Sequence, residues 1–178
     1  MAYTGEVTVG GEADVRELEG LTISKLAVGP MNNNVYLLRC HETGEQLLID
    51  AAFDDERILS LVGDAGLATI VTTHRHADHV QALEDVAAAT AALTVAGELD
   101  ADALPVAPDN RVIDGDEVQF GSCTVSVIHL VGHTPGSIAL RYDDPSGSAR
   151  RRMKSRSAHG DSPLRDFVFD WRRCWPER

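Results

Sequence analysis

Apolar segments separated by polar turns recur along the first 142 residues, and their spacing predicts the secondary structure. Alternating apolar positions predict a strand over residues 21–28. Further apolar or β-branched runs predict strands at 35–38, 46–50, 69–73, 94–96, 117–120, 124–128 and 138–142. Apolar residues at helical spacing predict one short helix after the acidic run 54–56 and a second helix after residue 79. Because strands and helices interleave, the sequence predicts a mixed α/β (α+β) layered fold.

The distribution of charge divides the chain after Gly147. The whole chain has a formal net charge of −12. Residues 1–147 carry 7 Lys and Arg against 24 Asp and Glu, whereas residues 148–178 carry 9 against 4 and hold both tryptophans. We therefore expect an N-terminal lead-in at 1–20, a folded domain at 21–147 and an atypical basic tail at 148–178, of a kind typical of solvated segments.

Composition and charge also exclude several classes of partner. The acidic body disfavours a nucleic-acid partner, because phosphate contacts need clustered Lys and Arg. No apolar run reaches the roughly 20 residues of a membrane span, and the N-terminus has neither the basic region nor the apolar core of a signal peptide. We therefore expect a cytoplasmic protein with no membrane partner. The three widely spaced cysteines favour reduced thiols over a disulfide framework.

Four side chains that can bind a metal lie close together in residues 73–79, called the histidine loop below. They are His74, His76, Asp78 and His79. Histidine nitrogen and aspartate oxygen suit zinc, and also iron or manganese. The first two histidines follow a β-branched strand, in which alternate residues share a face, and the other two ligands lie where the next helix is expected to begin. One loop can therefore supply two neighbouring metal sites.

A second loop, residues 131–137, has the sequence Val-Gly-His-Thr-Pro-Gly-Ser and is called the His133 loop below. It also follows an apolar strand, and its glycines and proline favour a rigid, close-fitting backbone. His133 adds a third neutral nitrogen to those of His74 and His76. Three neutral ligands leave zinc an open position, where bound water loses its proton near pH 7 instead of at about 15.7 as in bulk water.

Two further residues are interpreted as supporting groups. Asp50 ends the strand at 46–50, a position that favours a turn or cap residue, and we predict that it also braces the histidine loop by hydrogen bonding. His129 lies inside an apolar strand, which favours a core histidine or one that supports a metal ligand.

The HxHxDH run at 74–79, the strand-end Asp50 and the Gly-His-Thr-Pro-Gly-Ser sequence at 132–137 together resemble the metallo-β-lactamase superfamily, and within it the glyoxalase II-like (hydroxyacylglutathione hydrolase-like) branch. The resemblance covers roughly residues 20–147. It implies an αββα sandwich with a metal site at the edges of its two sheets, holding one or two zinc ions, with iron or manganese as alternatives. It also implies the ligands, which are His74, His76 and His133 for the first metal and Asp78 and His79 for the second.

The C-terminal part departs from that family's pattern. The family uses an aspartate, in a Gly-Asp pair at the end of an apolar strand, to bridge both metals, and a late histidine for the second metal. After residue 147 the chain has a basic run instead, and its only later Gly-Asp pair is Gly160-Asp161, with His159 directly before it. We therefore expect an incomplete second half of the sandwich, from a divergent, deleted or frame-shifted C-terminus. Whether Asp161 or His159 replaces a missing ligand stays open.

The leading hypothesis is a metal-dependent hydrolase, in which a metal-bound hydroxide attacks the carbonyl of a small-molecule thioester such as an acyl-glutathione-type conjugate. No nucleophilic side chain is needed, so no catalytic residue is assigned beyond the metal ligands. One alternative is a mononuclear iron oxygenase resembling the persulfide dioxygenases. Another is a truncated, non-catalytic metal-binding relative that exposes apolar surface. Substrate, metal identity, metal count and oligomeric state stay open at this point.

Overall fold

The structure is a computed structural model that describes residues 3–143. Its strands are β1 (Asp14–Glu17), β2 (Leu21–Val28), β3 (Asn33–Cys40), β4 (Gln46–Ile49), β5 (Thr69–Thr72), β6 (Leu93–Gly97), β7 (Asn110–Val112), β8 (Glu117–Phe120), β9 (Cys123–His129) and β10 (Ile138–Arg141). Its helices are α1 (Asp55–Val62) and α2 (Leu83–Thr90), with short 3₁₀ turns at Gly63–Ala65, Ala77–His79 and Ala101–Ala103. The basic tail, with His159 and Asp161, lies outside the described residues.

Seven strands form a large sheet in the order β1 to β7. β1 to β4 pair antiparallel, with Leu21 of β2 opposite Cys40 of β3. β4 to β7 pair in parallel, and α1 and α2 lie in the connections that follow β4 and β5. Because parallel strands end at the same edge of a sheet, the segments that follow β4, β5 and β6 lie side by side.

A smaller sheet of three antiparallel strands, in the order β10-β9-β8, packs against one face of the large sheet. The core between the two sheets is apolar. Its fully buried members include Leu38, Ile49, Phe120, Val125 and Leu140. Within the described residues the apolar face of the large sheet is therefore covered by β8 to β10.

The central strands are buried on both faces, which explains their continuous apolar runs in the sequence. In β4, Leu47 and Ile49 face the small sheet, whereas Leu48 faces the helices. Ile58 of α1 and Leu83 of α2 complete that second core. Burying one such side chain contributes about 1.5–3 kcal/mol. Within the described residues the layers are thus helices, large sheet and small sheet, and the prediction of an α/β layered fold is confirmed.

The predicted strands and helices are present, with small differences at their ends. The second helix begins only at Leu83, because Ala77–His79 form a separate 3₁₀ turn that carries the last two residues of the predicted metal cluster. The apolar pattern did not predict β1 or β7. β1 has one apolar side chain, Val15, which is 43% exposed, and β7 has three residues, so neither shows an alternation long enough to detect.

The two α-helices of residues 3–143 are too short to cross a membrane. Each has eight residues, which span about 12 Å at 1.5 Å per residue, against a hydrocarbon core of roughly 30 Å.

Candidate metal centre

The candidate site lies at the edge where the parallel strands of the large sheet end. Asp50 directly follows β4, the histidine loop (73–79) follows β5, and Asp100 lies shortly after β6. The His133 loop (131–137) connects β9 and β10 of the small sheet. Ile138 directly after it donates a backbone hydrogen bond of 2.9 Å to the histidine loop, which joins the two sheets at this edge. Strand ends on a rigid scaffold are common positions for chemistry.

His74, His76 and His133 converge although they come from two different loops. One ring nitrogen of each lies within 4.8 Å of the other two, as the ligands of a single ion require. The ring centroids are 4.9 Å apart for His74 and His76, 4.6 Å for His74 and His133, and 4.5 Å for His76 and His133. The shortest contact joins His76 Nδ1 and His133 Nε2, at 3.0 Å. His74 is buried and the other two are exposed, so the cluster opens to solvent on one side.

Asp50 braces the histidine loop from a fully buried position (0% exposed). Its Oδ1 accepts a hydrogen bond from the backbone N–H of Thr73 (2.7 Å), and its Oδ2 accepts from the Thr73 hydroxyl (2.7 Å) and from His79 Nδ1 (2.9 Å). Because the Thr73 hydroxyl is donated to Asp50, its oxygen accepts from Nδ1–H of His74 (2.9 Å). Both histidines thereby carry their proton on Nδ1 and leave Nε2 unprotonated, the form that binds a metal.

Burial favours the neutral form of two histidines of this cluster, His74 and His133. It lowers the pKa of His74 to about 4, and the electrostatic interaction with His79 acts in the same direction. Burial also lowers the pKa of His133, with a further contribution from His76. Since a metal binds the neutral imidazole, protons do not compete with a cation for His74 and His133 at neutral pH.

Asp78 and His79 lie beside the three-histidine cluster. His79 forms a second, buried group with His74 and Asp50, whose possible ligand atoms lie within 4.8 Å of one another. Asp78 Oδ2 lies 3.7 Å from His79 Nε2 and accepts a hydrogen bond of 2.9 Å from Asn33 Nδ2. Burial alone would raise the pKa of Asp78, but the hydrogen bond from Asn33 and the electrostatic interaction with His79 hold it below its ordinary value. Asp78 is therefore an anionic oxygen donor close to His79, outside both groups.

His129 supports the His133 loop rather than the core. It is half-buried, and its Nε2 donates a hydrogen bond of 2.9 Å to the carbonyl of Pro135 within that loop. Its backbone N–H donates to Asp114 Oδ1 at 2.8 Å. Of the two interpretations from the sequence, the supporting role is the one that the structure favours.

The sequence model of the metallo-β-lactamase superfamily matches residues 28–147, a range that contains both loops. The chain belongs to this superfamily. The resemblance predicted from the histidine motif is thus confirmed. In this metallo-β-lactamase domain the match ends at residue 147, where the charge of the chain reverses.

Individual relatives support the resemblance to the glyoxalase II-like branch of the superfamily. Hydroxyacylglutathione hydrolase of Rhodospirillum rubrum is 35% identical over 128 residues, which are 71% of this chain and 49% of that protein. Among solved structures, ETHE1 from Myxococcus xanthus has a TM-score of 0.60 at 29% identity and covers 67% of this chain and 53% of its own. TTHA1623 in a di-iron-bound form has a TM-score of 0.56 at 29% identity, covering 69% and 67%. This metallo-β-lactamase-type chain spans about half the length of the curated relatives that it matches.

The donor set of the cluster fits a divalent transition-metal ion. Three imidazole nitrogens suit zinc, and also iron, and each of the buried histidines has its second nitrogen held by a hydrogen-bond acceptor, as metal-binding histidines usually do. Asp161 and His159, the candidates for further ligands, lie outside the described residues. The assignment of His74, His76, Asp78, His79 and His133 as metal ligands stays a prediction.

Three supporting residues received no role from the sequence: Asn33, Thr73 and Asp100. In the sequence Asn33 belongs to a turn-like run, although it begins β3 in the structure, and Asp100 precedes a helical turn; both residue types are common at such positions for local reasons. Asn33 nevertheless donates to the backbone carbonyl (2.7 Å) and the carboxylate of Asp78, 45 positions away. Contacts across such separations leave no local pattern, so no signal in the single sequence identifies them.

Proposed function

We propose that the chain is a metal-dependent hydrolase that acts on a thioester or a related carbonyl compound of small size. The observation that carries the proposal is the convergence of His74, His76 and His133 within 4.8 Å, on a metallo-β-lactamase domain. Curated relatives with the name hydroxyacylglutathione hydrolase support a thioester as the substrate class. We propose zinc as the metal, with iron or manganese as alternatives.

The residues of this chain would hold the ion and orient its ligands. His74, His76 and His133 contribute neutral nitrogens and so leave the positive charge of the ion uncompensated. A divalent ion bound there supplies a Lewis acid that polarises a carbonyl oxygen and lowers the pKa of bound water from about 15.7 to about 7. Asp50 keeps the Nδ1 proton of His79 and, through Thr73, that of His74 in place. Nothing in this scheme requires a nucleophilic side chain.

The surroundings of the cluster support access for a substrate and room for a second ion. His76 and His133 are exposed, so a carbonyl compound can approach the open side of the cluster from solvent. His79 lies next to His74, with ring centroids 4.2 Å apart, and Asp78 and His79 would serve a second ion, with Asp50 as the brace of His79. The proposal thus accommodates one ion or two.

Hydrolysis of an acyl-glutathione thioester by the full chain tests the proposal. We expect zinc-dependent hydrolysis that is lost with a chelator and restored by zinc. His133→Ala should abolish it, whereas His41→Ala, which changes an exposed histidine outside both loops, should not. Zinc-loaded protein that hydrolyses no member of a panel of esters and thioesters would contradict the proposal and favour the non-catalytic alternative.

An iron-dependent oxygenase resembling the persulfide dioxygenases is the second candidate function. The likeness to ETHE1 from Myxococcus xanthus, with a TM-score of 0.60 at 29% identity, supports this mononuclear iron candidate, and the di-iron-bound form of TTHA1623 supports iron as a metal that this fold can hold. Elemental analysis of protein purified without added metal distinguishes the two. Iron as the main metal, with oxygen consumption on a persulfide substrate, supports the oxygenase, and zinc with thioester hydrolysis supports the hydrolase.

A further inference from the structure

Asp100 is a buried carboxylate to which the proposed hydrolysis assigns no role. It is 1% exposed and directly precedes the 3₁₀ turn Ala101–Ala103. An aspartate in that position ordinarily caps the turn that follows it. The Asp100 side chain makes no such capping hydrogen bond. Its carboxylate points away from its own turn, and burial without hydrogen bonds would be costly, so its partners elsewhere matter.

The Asp100 carboxylate joins the histidine loop to the His133 loop. Oδ2 accepts a hydrogen bond from the backbone N–H of Arg75 (3.1 Å) and another from the hydroxyl of Thr134. Oδ1 accepts from the backbone N–H of Gly136 (3.0 Å) and lies 3.6 Å from Nε of Arg75. Both oxygens therefore have donors, from two loops that belong to different sheets.

These contacts involve the immediate neighbours of the three clustered histidines. Arg75 lies between His74 and His76 in the chain, and Thr134 directly follows His133. A hydrogen bond at either neighbour limits how far the adjacent ring can move. Along the chain the two loops are separated by the whole segment between residues 79 and 131. The Asp100 carboxylate connects them directly through non-covalent contacts.

The hydroxyl of Thr134 is itself oriented toward Asp100. Thr134 and Ser137 are both buried, and Ser137 Oγ accepts from the backbone N–H of Thr134 (3.0 Å) while its hydroxyl contacts Thr134 Oγ1. A carboxylate only accepts, so the Thr134 proton goes to Asp100 and the Ser137 proton goes to Thr134. The chain of hydroxyls therefore has one direction and ends on Asp100.

Gly136 of the His133 loop packs closely against the backbone of Asp100, so the conformation of this loop also depends on its contact with Asp100. A Cβ on Gly136 would lie 2.4 Å from the backbone nitrogen of Asp100 and 2.9 Å from its Cβ. Any other residue at position 136 would therefore push the loop away from Asp100. The absence of a side chain at Gly136 permits the approach that the hydrogen bonds require.

We propose that Asp100 is a positioning residue, whose carboxylate sets the separation of the histidine loop and the His133 loop and thereby brings His133 within reach of His74 and His76. It contacts no ring nitrogen of the cluster and acts through the neighbours of the histidines. The proposal rests on the proposed metal-dependent function, because the separation of the three histidines matters for the ligation of a metal.

Cobalt(II) titration of the full-length chain tests the proposal, with visible absorption as the reporter of ligand geometry. In Asp100→Asn the amide nitrogen cannot accept, so one set of donors loses its acceptor whichever way the amide is turned. We expect cobalt affinity to fall about 10- to 100-fold, as for other residues that support metal ligands, with a changed absorption spectrum. The matched control is Asp109→Asn, because Asp109 accepts from both the N–H and the hydroxyl of Thr94 (2.8 Å each), away from the site.

A second pair of variants tests the same contact from the other side. Thr134→Val removes the hydroxyl that is donated to Asp100, whereas Thr134→Ser keeps it. We expect cobalt affinity and spectrum to be altered in Thr134→Val and close to wild type in Thr134→Ser. If Asp100→Asn does not fold, this pair of variants tests the positioning role of Asp100 in its place. Wild-type affinity and spectrum in Asp100→Asn, or in Thr134→Val, would overturn the proposal.

Amide hydrogen exchange of the metal-free chain separates this proposal from the proposed function. We expect faster exchange at Gly136 and Arg75 in Asp100→Asn but not in Asp109→Asn, since those two amides donate to the Asp100 carboxylate. If wild-type protein binds no cobalt, the metal-dependent function fails, and the exchange result alone then supports or overturns the connection between the loops. Unchanged exchange at both amides would overturn it.

Discussion

Single residues at this site combine burial with unusual backbone geometry. Asp50 is fully buried and adopts a left-handed backbone conformation, with φ of 58°. Aspartate tolerates this conformation better than most residues, although it still costs stability. The conformation places the carboxylate under the histidine loop, where it accepts from Thr73 and His79. A hydrogen bond to a charged group contributes about 1.5–3 kcal/mol, which offsets that cost.

Asp50→Asn is expected to weaken zinc binding about 10- to 100-fold, the usual effect of losing a group that orients a metal ligand. Asparagine keeps the size of the side chain, but its amide nitrogen donates and cannot accept from both Thr73 and His79. Competition with a chromophoric chelator measures the affinity. Asp64→Asn, at an exposed position in the turn Gly63–Ala65, serves as the control. Equal affinities in all three proteins would show that the brace is not needed.

The low pKa of His74 predicts how the stability of the metal-free protein depends on pH. In the unfolded chain this histidine binds a proton below its ordinary pKa of 6.5, whereas burial keeps it neutral in the fold down to about pH 4. The unfolded state therefore binds more protons between these values, and the free energy of unfolding falls as the pH decreases from 6.5 to 4.

Urea unfolding of metal-free protein at pH 6.5 and pH 4.5 measures this effect. In His74→Asn we expect a smaller difference between the two pH values than in wild type, because one of the groups that gains a proton on unfolding is gone. The carboxyl groups with lowered pKa, such as Asp78, act at lower pH, since their ordinary pKa is 3.8. An identical difference in both proteins would contradict the assignment.

Whole elements bring these residues together through the parallel half of the large sheet. β4, β5 and β6 are neighbours, so the residues that follow them share one edge. The small sheet adds the His133 loop at the same edge, where β10 begins next to the end of β5. Close contact between β6 and that loop is possible because Gly97 and Gly136 lack side chains at their point of approach.

Gly97→Ala is expected to disturb both stability and the site. The added Cβ would lie 2.1 Å from the carbonyl oxygen of Gly136 and 3.1 Å from Ile138 Cγ2. Such overpacking typically costs about 1–3 kcal/mol. The shift displaces the His133 loop, so we also expect weaker zinc binding. Denaturant unfolding and chelator competition measure the two effects.

Gly66→Ala is the control for this prediction. Its added Cβ meets no atom within 4 Å, but its φ of +74° imposes strain. We expect it to lower stability by about 1–3 kcal/mol, from its backbone conformation (φ 74°, ψ 176°) alone, without a change in zinc affinity. A loss of zinc affinity in Gly66→Ala, equal to that in Gly97→Ala, would mean that general destabilisation explains both.

The whole molecule couples metal binding to folding through its layered arrangement. The three-histidine cluster includes residues of the large sheet's histidine loop and of the small sheet's His133 loop, so a bound ion links both sheets. Such a link exists only in the folded state, because the two loops are far apart in the chain. Metal binding should therefore stabilise the whole fold.

Zinc is expected to raise the melting temperature of the full chain, and a chelator to lower it again. A ligand at 100 times its dissociation constant stabilises the fold by about 2.7 kcal/mol. His133→Ala should remove most of this shift, whereas His41→Ala should keep it. A zinc-independent melting temperature in wild type would contradict a metal site between the sheets. Elemental analysis of the same sample separates one ion from two, and two would mean that residues beyond the three-histidine cluster contribute ligands.

Local patterns explain which parts of the fold were predictable. Residues 21–28 form β2 with the predicted bounds, because apolar side chains there alternate and pack against two layers. The 3₁₀ turn Ala77–His79 was not predicted, since the apolar spacing after it is compatible with a helix that begins earlier. β1 pairs with β2 through its backbone, and backbone pairing of a polar edge strand leaves little trace in the side chains.

The sequence by itself determined the family and predicted the type of metal ligands, because both depend on local features. His74 and His76 are two positions apart after a strand, and the run through His79 is specific enough to identify the superfamily. Only the tertiary structure decided how the two loops are held together. Asp100 is 25 positions from Arg75 and 34 from Thr134, and it meets both only because β5 and β6 are parallel neighbours and the small sheet packs beside them. Hydrogen bonds between such distant residues depend on the order of strands, which no short stretch of sequence encodes.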